Sequence, residues 1–303
     1  MKEVIIVSGK GGTGKTSLIG SLAELAENKV LVDCDVDAAD LHLLLAPTII
    51  AEHDFIAGVK ATVLAESCNS CGLCEELCQF GAVTMNQQAL INEMSCEGCG
   101  VCAHFCPEQA IKLHDHHCGH WFQSQTKYGP LVHAQLMPGE ENSGKLVTKI
   151  KQEARQLAEA QGLDLLLVDG SPGIGCPVIA SLSNADMIVA VTEPTLSGWH
   201  DLERLLDLAD HFRIQSLVCI NKWDLHSEMS QEIEDACKKR GTEILGRIPF
   251  DRTVVDSQIQ GIPVVCHNDS HAASAIRDIW EKLSVRIKES PADSVPPHLQ
   301  TLG

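Results

Sequence analysis

The sequence predicts an α/β fold, a mostly parallel sheet with helices on both faces, interrupted by a small cysteine-rich insertion. Three observations predict it. An apolar strand at Glu3–Ser8 runs into a glycine loop and then a helix; apolar segments alternate with helical patterns through the second half; and the stretch between is dense in cysteine and internally repeated. At 303 residues and 44% hydrophobic content the chain holds one large core and one smaller unit, and is too short for three ordinary domains.

The elements follow in order. The glycine loop opens a helix from Thr16 to about Glu27, with Leu18, Leu22 and Leu25 on one face. A second strand, Lys29–Asp33, ends in a run of aspartates, and further strands are expected at Leu165–Asp169, Met187–Val191, Leu217–Asn221 and Ile244–Ile248. Helices are expected at Ser143–Gln161, capped by Asn142 or Ser143, and at Gly198–Phe212, Ser227–Lys239, Thr253–Gln260 and His271–Lys288. Pro291, Pro296 and Pro297 predict a disordered tail. The division is then a discontinuous domain of residues 1–59 and 115–289, an insertion of residues 60–114, and a tail of residues 290–303.

Composition excludes some function classes. Lys and Arg number 23 against 41 Asp and Glu, and the net charge of −18 repels phosphate backbones, so nucleic acid is not an expected partner. No apolar run approaches the roughly 18 to 20 residues of a membrane helix, and the first apolar segment leads into the glycine loop without a cleavage site; a cytoplasmic protein without membrane insertion is expected. In a reducing compartment, 14 cysteines point to metal rather than disulfides.

Residues 9–16 read GKGGTGKT, which satisfies the phosphate-loop pattern GxxxxGK(S/T) between a strand and a helix. Gly9, Gly11, Gly12, Thr13 and Gly14 let successive main-chain amides converge on phosphate oxygens, Lys15 adds a point charge, Thr16 can ligate Mg2+, and Ser17 extends the helix N-terminus. Lys10 places a second lysine early in the loop. Asp33 and Asp35 stand at a strand end within VDCDVDAAD, and Asp169 closes the apolar run LDLLLVD, where a carboxylate can hold a hydrated Mg2+.

Within the insertion, the spacing CxxCxxCxxxC occurs twice, at Cys68, Cys71, Cys74 and Cys78 and again at Cys96, Cys99, Cys102 and Cys106. Thiolates in this spacing select 4Fe-4S clusters, with zinc as the alternative. In the bacterial ferredoxin pattern the fourth cysteine of each run serves the other cluster. The first cluster then takes Cys68, Cys71, Cys74 and Cys106, and the second Cys78, Cys96, Cys99 and Cys102. Cys106 is followed by the Pro107 of that pattern, whereas Cys78 is followed by Gln79.

With its early Lys10, the sequence resembles the MinD, ParA and Mrp family of deviant Walker A ATPases. The resemblance implies a dimer formed on ATP binding, in which Lys10 reaches the partner's bound phosphates. It implies that Asp35 orients the attacking water, that Thr16, Asp33 and Asp169 gather at Mg2+, and that Ser171–Gly175 senses the γ-phosphate. It implies Asn221 on adenine, with Ile248–Asp251, including Pro249 and Asp251, and Gly261–Val265 at the nucleotide edge. Asn221–Lys222–Trp223–Asp224 also matches the NKxD signature of guanine-binding proteins, so GTP stands as the alternative base. The two cysteine runs narrow the resemblance to MinD-type ATPases with an inserted ferredoxin domain. Those are associated with Fe-S and metal-cofactor assembly, alongside small proteins that resemble nitrogenase cofactor-binding proteins.

Weaker signals remain. Cys176 stands at the distance from Asp169 at which the nitrogenase iron protein, a relative in this family, carries a cysteine for a cluster bridging two subunits; Cys118 is a candidate companion, and buried or incidental thiols are the alternative. His114, His116, His117, Cys118 and His120 form a dense set of potential ligands that strand alternation would send to opposite faces. The leading functional expectation is an ATPase coupled to Fe-S or metal-cofactor assembly on, or electron delivery to, a partner. The alternatives are a ferredoxin-type electron carrier on an inert nucleotide fold and, last, positioning at membranes.

Overall fold

The structure, a computed structural model, describes residues 1–140 and 143–290. Asn142 and the proline-containing tail beyond Ser290 lie outside the described residues. The chain divides into two compact units, one of residues 1–53, 121–135 and 143 onward, the other of residues 54–120 and 136–142. The insertion is thus wider than the expected 60–114.

In chain order the elements are β1 (Lys2–Ser8), α1 (Lys15–Leu25), β2 (Lys29–Asp33), α2 (Leu41–Leu45) and β3 (Thr48–Val63). Next come α3 (Leu73–Leu77), β4 (Val83–Met85), β5 (Ala89–Ile91), α4 (Val101–His104), β6 (Ile111–Thr126) and β7 (Gly129–Leu136). Then follow α5 (Ser143–Gln161), β8 (Leu165–Pro172), α6 (Cys176–Leu182), β9 (Met187–Thr192), α7 (Leu196–His211) and β10 (Gln215–Asn221). The chain continues through α8 (Ser227–Arg240), β11 (Glu243–Ile248), α9 (Arg252–Gln260) and α10 (His271–Glu289). Among the described residues no helix is long and apolar enough to cross a membrane.

The sheet runs β11-β10-β9-β1-β8-β2-β7-β6-β3, and every neighbour pair from β11 to β7 is parallel. Parallel strands need helical crossovers that cover both faces, which explains why β1, β2 and β9 are buried along their whole length apart from the first residue of β1. α1 presents Leu18 and Leu22 to a core shared with Ile6, Leu167, Val189 and Ile276, as its apolar spacing requires. Only two residues join β6 to β7, so the chain must reverse there and that end of the sheet departs from parallel order. On the other face Lys151 of α5, 2% exposed, reaches Glu3 of β1 at 2.5 Å, and Arg155 reaches the second Glu3 oxygen at 2.5 Å.

Strands β3 and β6 each begin in one unit and end in the other, carrying the chain across without a loop. Inside the second unit the sequence repeat becomes a pseudo-twofold. A helical turn at Ala65–Ser67 leads into Cys68 and its copy at Glu93–Ser95 leads into Cys96, while Gly72 and Gly100, at φ 80° and 76°, open α3 and α4. The two halves exchange equivalent bonds, Leu64 N–H to Ala110 O at 2.7 Å and Asn92 N–H to Ala82 O at 2.8 Å. Gly98 takes φ 63°, and a Cβ there would lie 2.0 Å from the Val59 carbonyl oxygen, so only glycine fits.

Candidate functional site

A cleft in the first unit opens at the C-terminal ends of β1 and β10, where ligands enter parallel α/β sheets. Its floor is the glycine loop. Ser8 ends β1 and its hydroxyl donates to the Lys10 carbonyl at 2.8 Å, fixing the loop's first turn. Gly14 stands at φ 89° as the N-cap of α1 and offers no side-chain cap, so the first amides of the helix face the cleft without an intrachain acceptor from that residue. A Cβ at Gly14 would fall 2.2 Å from Asn221 Nδ2. The buried Thr13 hydroxyl has no hydrogen-bond partner, while the Ser17 hydroxyl accepts from Gln258 Nε2 at 2.7 Å.

Lys15 is 5% exposed and sets the electrostatics. Its ammonium is 2.5 Å from Asp169 and 3.5 Å from Asp35, and the Thr16 hydroxyl donates to the other Asp169 oxygen at 3.2 Å. Asp33 and Asp169 are adjacent because β2 and β8 pair in register at those two residues. Burial alone would lower the Lys15 pKa, but Asp169, Asp35 and Asp33 hold it above its ordinary value. Burial raises Asp35 to about 6 and raises Asp33 and Asp169 as well, with Lys15 opposing. Three buried or half-buried carboxylates around one ammonium leave uncompensated negative charge, and a divalent cation beside Thr16 and Asp169 would neutralise it. The residues therefore fit Mg2+ together with a polyphosphate.

Four expected site residues have their polar atoms on partners within the chain. Asp33 is fully buried, and its two oxygens accept from the amides of Asp35 and Leu41, at 3.0 and 3.3 Å; it braces the loop that carries Asp35 rather than facing a metal. Asn221, expected on the base, donates to the Thr13 carbonyl at 2.7 Å and accepts from Lys222 N–H at 3.0 Å, so it ties the end of β10 to the phosphate loop. Asp251 lines the cleft with Pro249, yet one oxygen caps α9 at Thr253 N and the other accepts from the Ser270 hydroxyl and Ala272 N. Cys118 is fully buried with its thiol on the Ala57 carbonyl at 3.1 Å, which removes it as a partner for a subunit-bridging cluster. Cys176 is exposed at the start of α6. Asp224 of the NKxD match accepts from Phe250 N–H at 2.6 Å through one oxygen.

Lys10 lies on its own chain, 3.6 Å from Glu193 and 3.3 Å from the Ser197 hydroxyl. Glu193 was not anticipated from sequence. It follows the last residue of β9, at the sheet edge where functional residues gather, and it also holds Lys222 at 2.5 Å. In the segment expected to sense the γ-phosphate, Ser171 donates to the Cys34 carbonyl at 2.6 Å and Gly173 N–H to Ser8 O at 2.9 Å.

The Asp251 geometry yields one stability expectation. Burial works against its charge, but the bonds from Ser270, Thr253 and Ala272 hold its carboxyl below the usual carboxylate range. A depressed folded-state pKa contributes stability above the unfolded value of roughly 4, and the contribution is lost as pH falls below it. Asp251→Ala is expected to cost about 1 kcal/mol at pH 7, with the gap to the unsubstituted protein narrowing below pH of about 4, as read by denaturant unfolding under argon.

In the second unit, Cys68, Cys71, Cys74 and Cys106 line one cavity with Pro107, and none of the other four repeat cysteines joins them. That grouping takes three thiols from the first run and the fourth from the second. Ala110 N–H donates to Cys106 Sγ at 3.3 Å, and main-chain amides of Ala89 and Ser70 hold the Cys68 thiol below its ordinary pKa. One cluster of the unit's core joins Ala61, Ala82, Cys96 and Ile111, with Val63, Ile91 and Ala103 and the thiols of Cys74, Cys78, Cys102 and Cys106 packed against it. Thiols thus make up much of this cluster, and metal clusters bound by them would add to a small unit's stability.

Comparison with known proteins agrees with the first unit's geometry. The chain is 31% identical over 286 residues to an uncharacterized protein of Methanocaldococcus jannaschii, covering 93% of this chain and 96% of that one. An iron-sulfur cluster carrier protein of Pyrococcus abyssi is 27% identical over 164 residues, half of this chain and 55% of the carrier. Among solved structures, the septum site-determining protein MinD of Pyrococcus horikoshii, complexed with Mg-ADP, superimposes with a TM-score of 0.55 at 17% identity, covering 96% of this chain and 99% of that one. The family model for the CobQ/CobB/MinD/ParA nucleotide binding domain matches residues 4–264, and the chain belongs to that family.

Proposed function

We propose that this protein binds and hydrolyses ATP with Mg2+, carries two 4Fe-4S clusters, and uses a nucleotide-dependent homodimer to drive Fe-S or metal-cofactor assembly or transfer on a partner protein. The observation that carries the reading is one chain in which Lys15 is gripped by Asp169 and Asp35 at the floor of an open cleft, while four thiols drawn from two repeats line a single cavity. The half-length likeness to an iron-sulfur cluster carrier supports the direction of the assignment.

The residues divide the work. Loop amides and Lys15 hold the polyphosphate, Thr16 and Asp169 hold Mg2+, and Asp35 orients water for in-line attack. Mg2+ offsets charge on the phosphate oxygens. Asp33 and Asn221 keep the loops that present these groups from relaxing. Lys10 reaches a second copy only by leaving Glu193, and Glu193 then keeps Lys222 at 2.5 Å. Exchanging one partly exposed ion pair costs about 1 kcal/mol or less, so the switch needs little driving force. A second reading, ATP-gated electron delivery, is favoured by the exposure of Cys71 and Cys99, which would bring each cluster close to solvent.

Coupling requires the clusters to sense the nucleotide state. Redox titration under argon with and without MgATP is expected to shift at least one cluster potential, and Lys15→Ala is expected to abolish the shift. Identical potentials in both states, in a protein that hydrolyses ATP, would refute coupling.

A further inference from the structure

We propose that Asp54, His117 and His120 form a binding site for a divalent first-row transition cation of the zinc class, separate from the cysteine sets. All three belong to the second unit. His117 Nε2 and His120 Nδ1 lie 3.1 and 3.4 Å from the same oxygen, Oδ1 of Asp54, and the three ligand atoms lie within 4.8 Å of one another. The two rings meet edge to face with centroids 4.6 Å apart.

Strand alternation would place residues 117 and 120 on opposite faces of β6. That both reach Asp54 therefore requires a local departure from alternation, and an ordinary row of solvated strand histidines would not produce it. The histidine side chains are each 33% exposed, but the His117 Nε2 atom is shut away from water and makes no directed hydrogen bond in spite of its closeness to Asp54. His117 Nε2 and Asp54 Oδ1 thus face each other at 3.1 Å without a directed hydrogen bond, and a cation ligated by both would satisfy the pair.

The donor set names the class of ion. Two imidazoles and one carboxylate suit Zn2+, Co2+, Ni2+ or Fe2+ better than the hard Mg2+ or Ca2+, which take oxygen ligands. Metal–nitrogen bonds of about 2.0–2.1 Å would draw the three ligand atoms, now within 4.8 Å of one another, around one ion. Three protein ligands leave a tetrahedral position open, and Asp54 is 68% exposed, so the ion would exchange with solvent and with ligands from outside rather than act as a closed structural staple.

The test uses full-length, cluster-loaded protein under argon, titrated with zinc chloride after removal of adventitious metal. One equivalent bound beyond the iron is expected. His117→Asn and Asp54→Asn should each weaken it more than about a hundredfold, beyond the cost of losing an outer hydrogen bond. Iron content and MgATP hydrolysis, both unchanged in these variants, show that the fold survives. His116→Asn is the control, because His116 stands in a neighbouring group with Cys118 and Glu140, 2.8 Å from the latter. No zinc beyond iron, retention in the His117 and Asp54 variants, or loss in the His116 variant alone would each overturn the assignment.

Discussion

Lys15→Ala is expected to abolish MgATP binding and to lower ATP hydrolysis at least about a hundredfold, while leaving iron content unchanged. Among the described residues the ammonium is the one cation set against Asp169 and Asp35 in the cleft floor, at 2.5 and 3.5 Å, and the loop's other lysine, Lys10, pairs with Glu193 instead. Without it a polyphosphate would meet buried carboxylates directly. Asp33, Asp35 and Asp169, already raised by burial, would take up protons in the variant, which limits the damage to the fold. Equilibrium dialysis with radiolabelled ATP and an iron assay on the same sample separate the two outcomes. Retained nucleotide binding would contradict the site; loss of iron as well would mean that the variant had lost more than its phosphate grip.

Cysteine substitutions should remove iron in blocks that reveal which thiols act together. Cys68→Ala and Cys106→Ala are each expected to lose about four irons, and the double variant no more than either alone, because both thiols line one cavity. Cys68→Ala combined with Cys78→Ala is expected to lose about eight, although the two belong to the same run of sequence. The reverse result, with iron lost run by run, would contradict the crossed ligand sets. Cys176→Ala should leave the count unchanged, since that thiol is exposed on the other unit and belongs to no group of three or more potential metal ligands among the described residues.

Local chemistry made much of this legible. Strands β1, β2, β9, β10 and β11 were readable to within about two residues, as was the long amphipathic α5, whereas β8 runs past its expected end at Asp169 to Pro172, and β7, which pairs parallel to β2, was not anticipated. The phosphate loop declared itself through glycine and lysine at fixed spacing, and the cavity lined by Cys68, Cys71, Cys74 and Cys106 has the membership of the first expected cysteine set. The long strands β3 and β6 did not declare themselves. Their sequences, TIIAEHDFIAGVKATV and IKLHDHHCGHWFQSQT, carry polar side chains on both faces, since most of each strand is exposed or only half-buried, so neither a buried run nor a clean alternation marks them.

The site residues with partners inside the chain share a different cause. Asp33, Asn221 and Asp251 stand where family likeness expects ligand contacts, and each spends its polar atoms on main-chain groups or a capping hydroxyl. Those partners lie far away in sequence or depend on a loop's path, so residue type alone cannot separate the group that touches a ligand from the group that holds the loop. Glu193 went unnoticed for the same reason: its meaning comes from Lys10 and Lys222, which converge on it only in the folded chain. Its one readable trace is position, just past the C-terminal end of a buried strand.

Metal analysis of the protein purified under argon decides whether one chain pairs a nucleotide cleft with two 4Fe-4S clusters. About eight irons and eight acid-labile sulfides per chain, a brown solution and spectral change on reduction are expected if it does. A colourless protein, or one holding two zinc ions with no labile sulfide, would contradict the pairing.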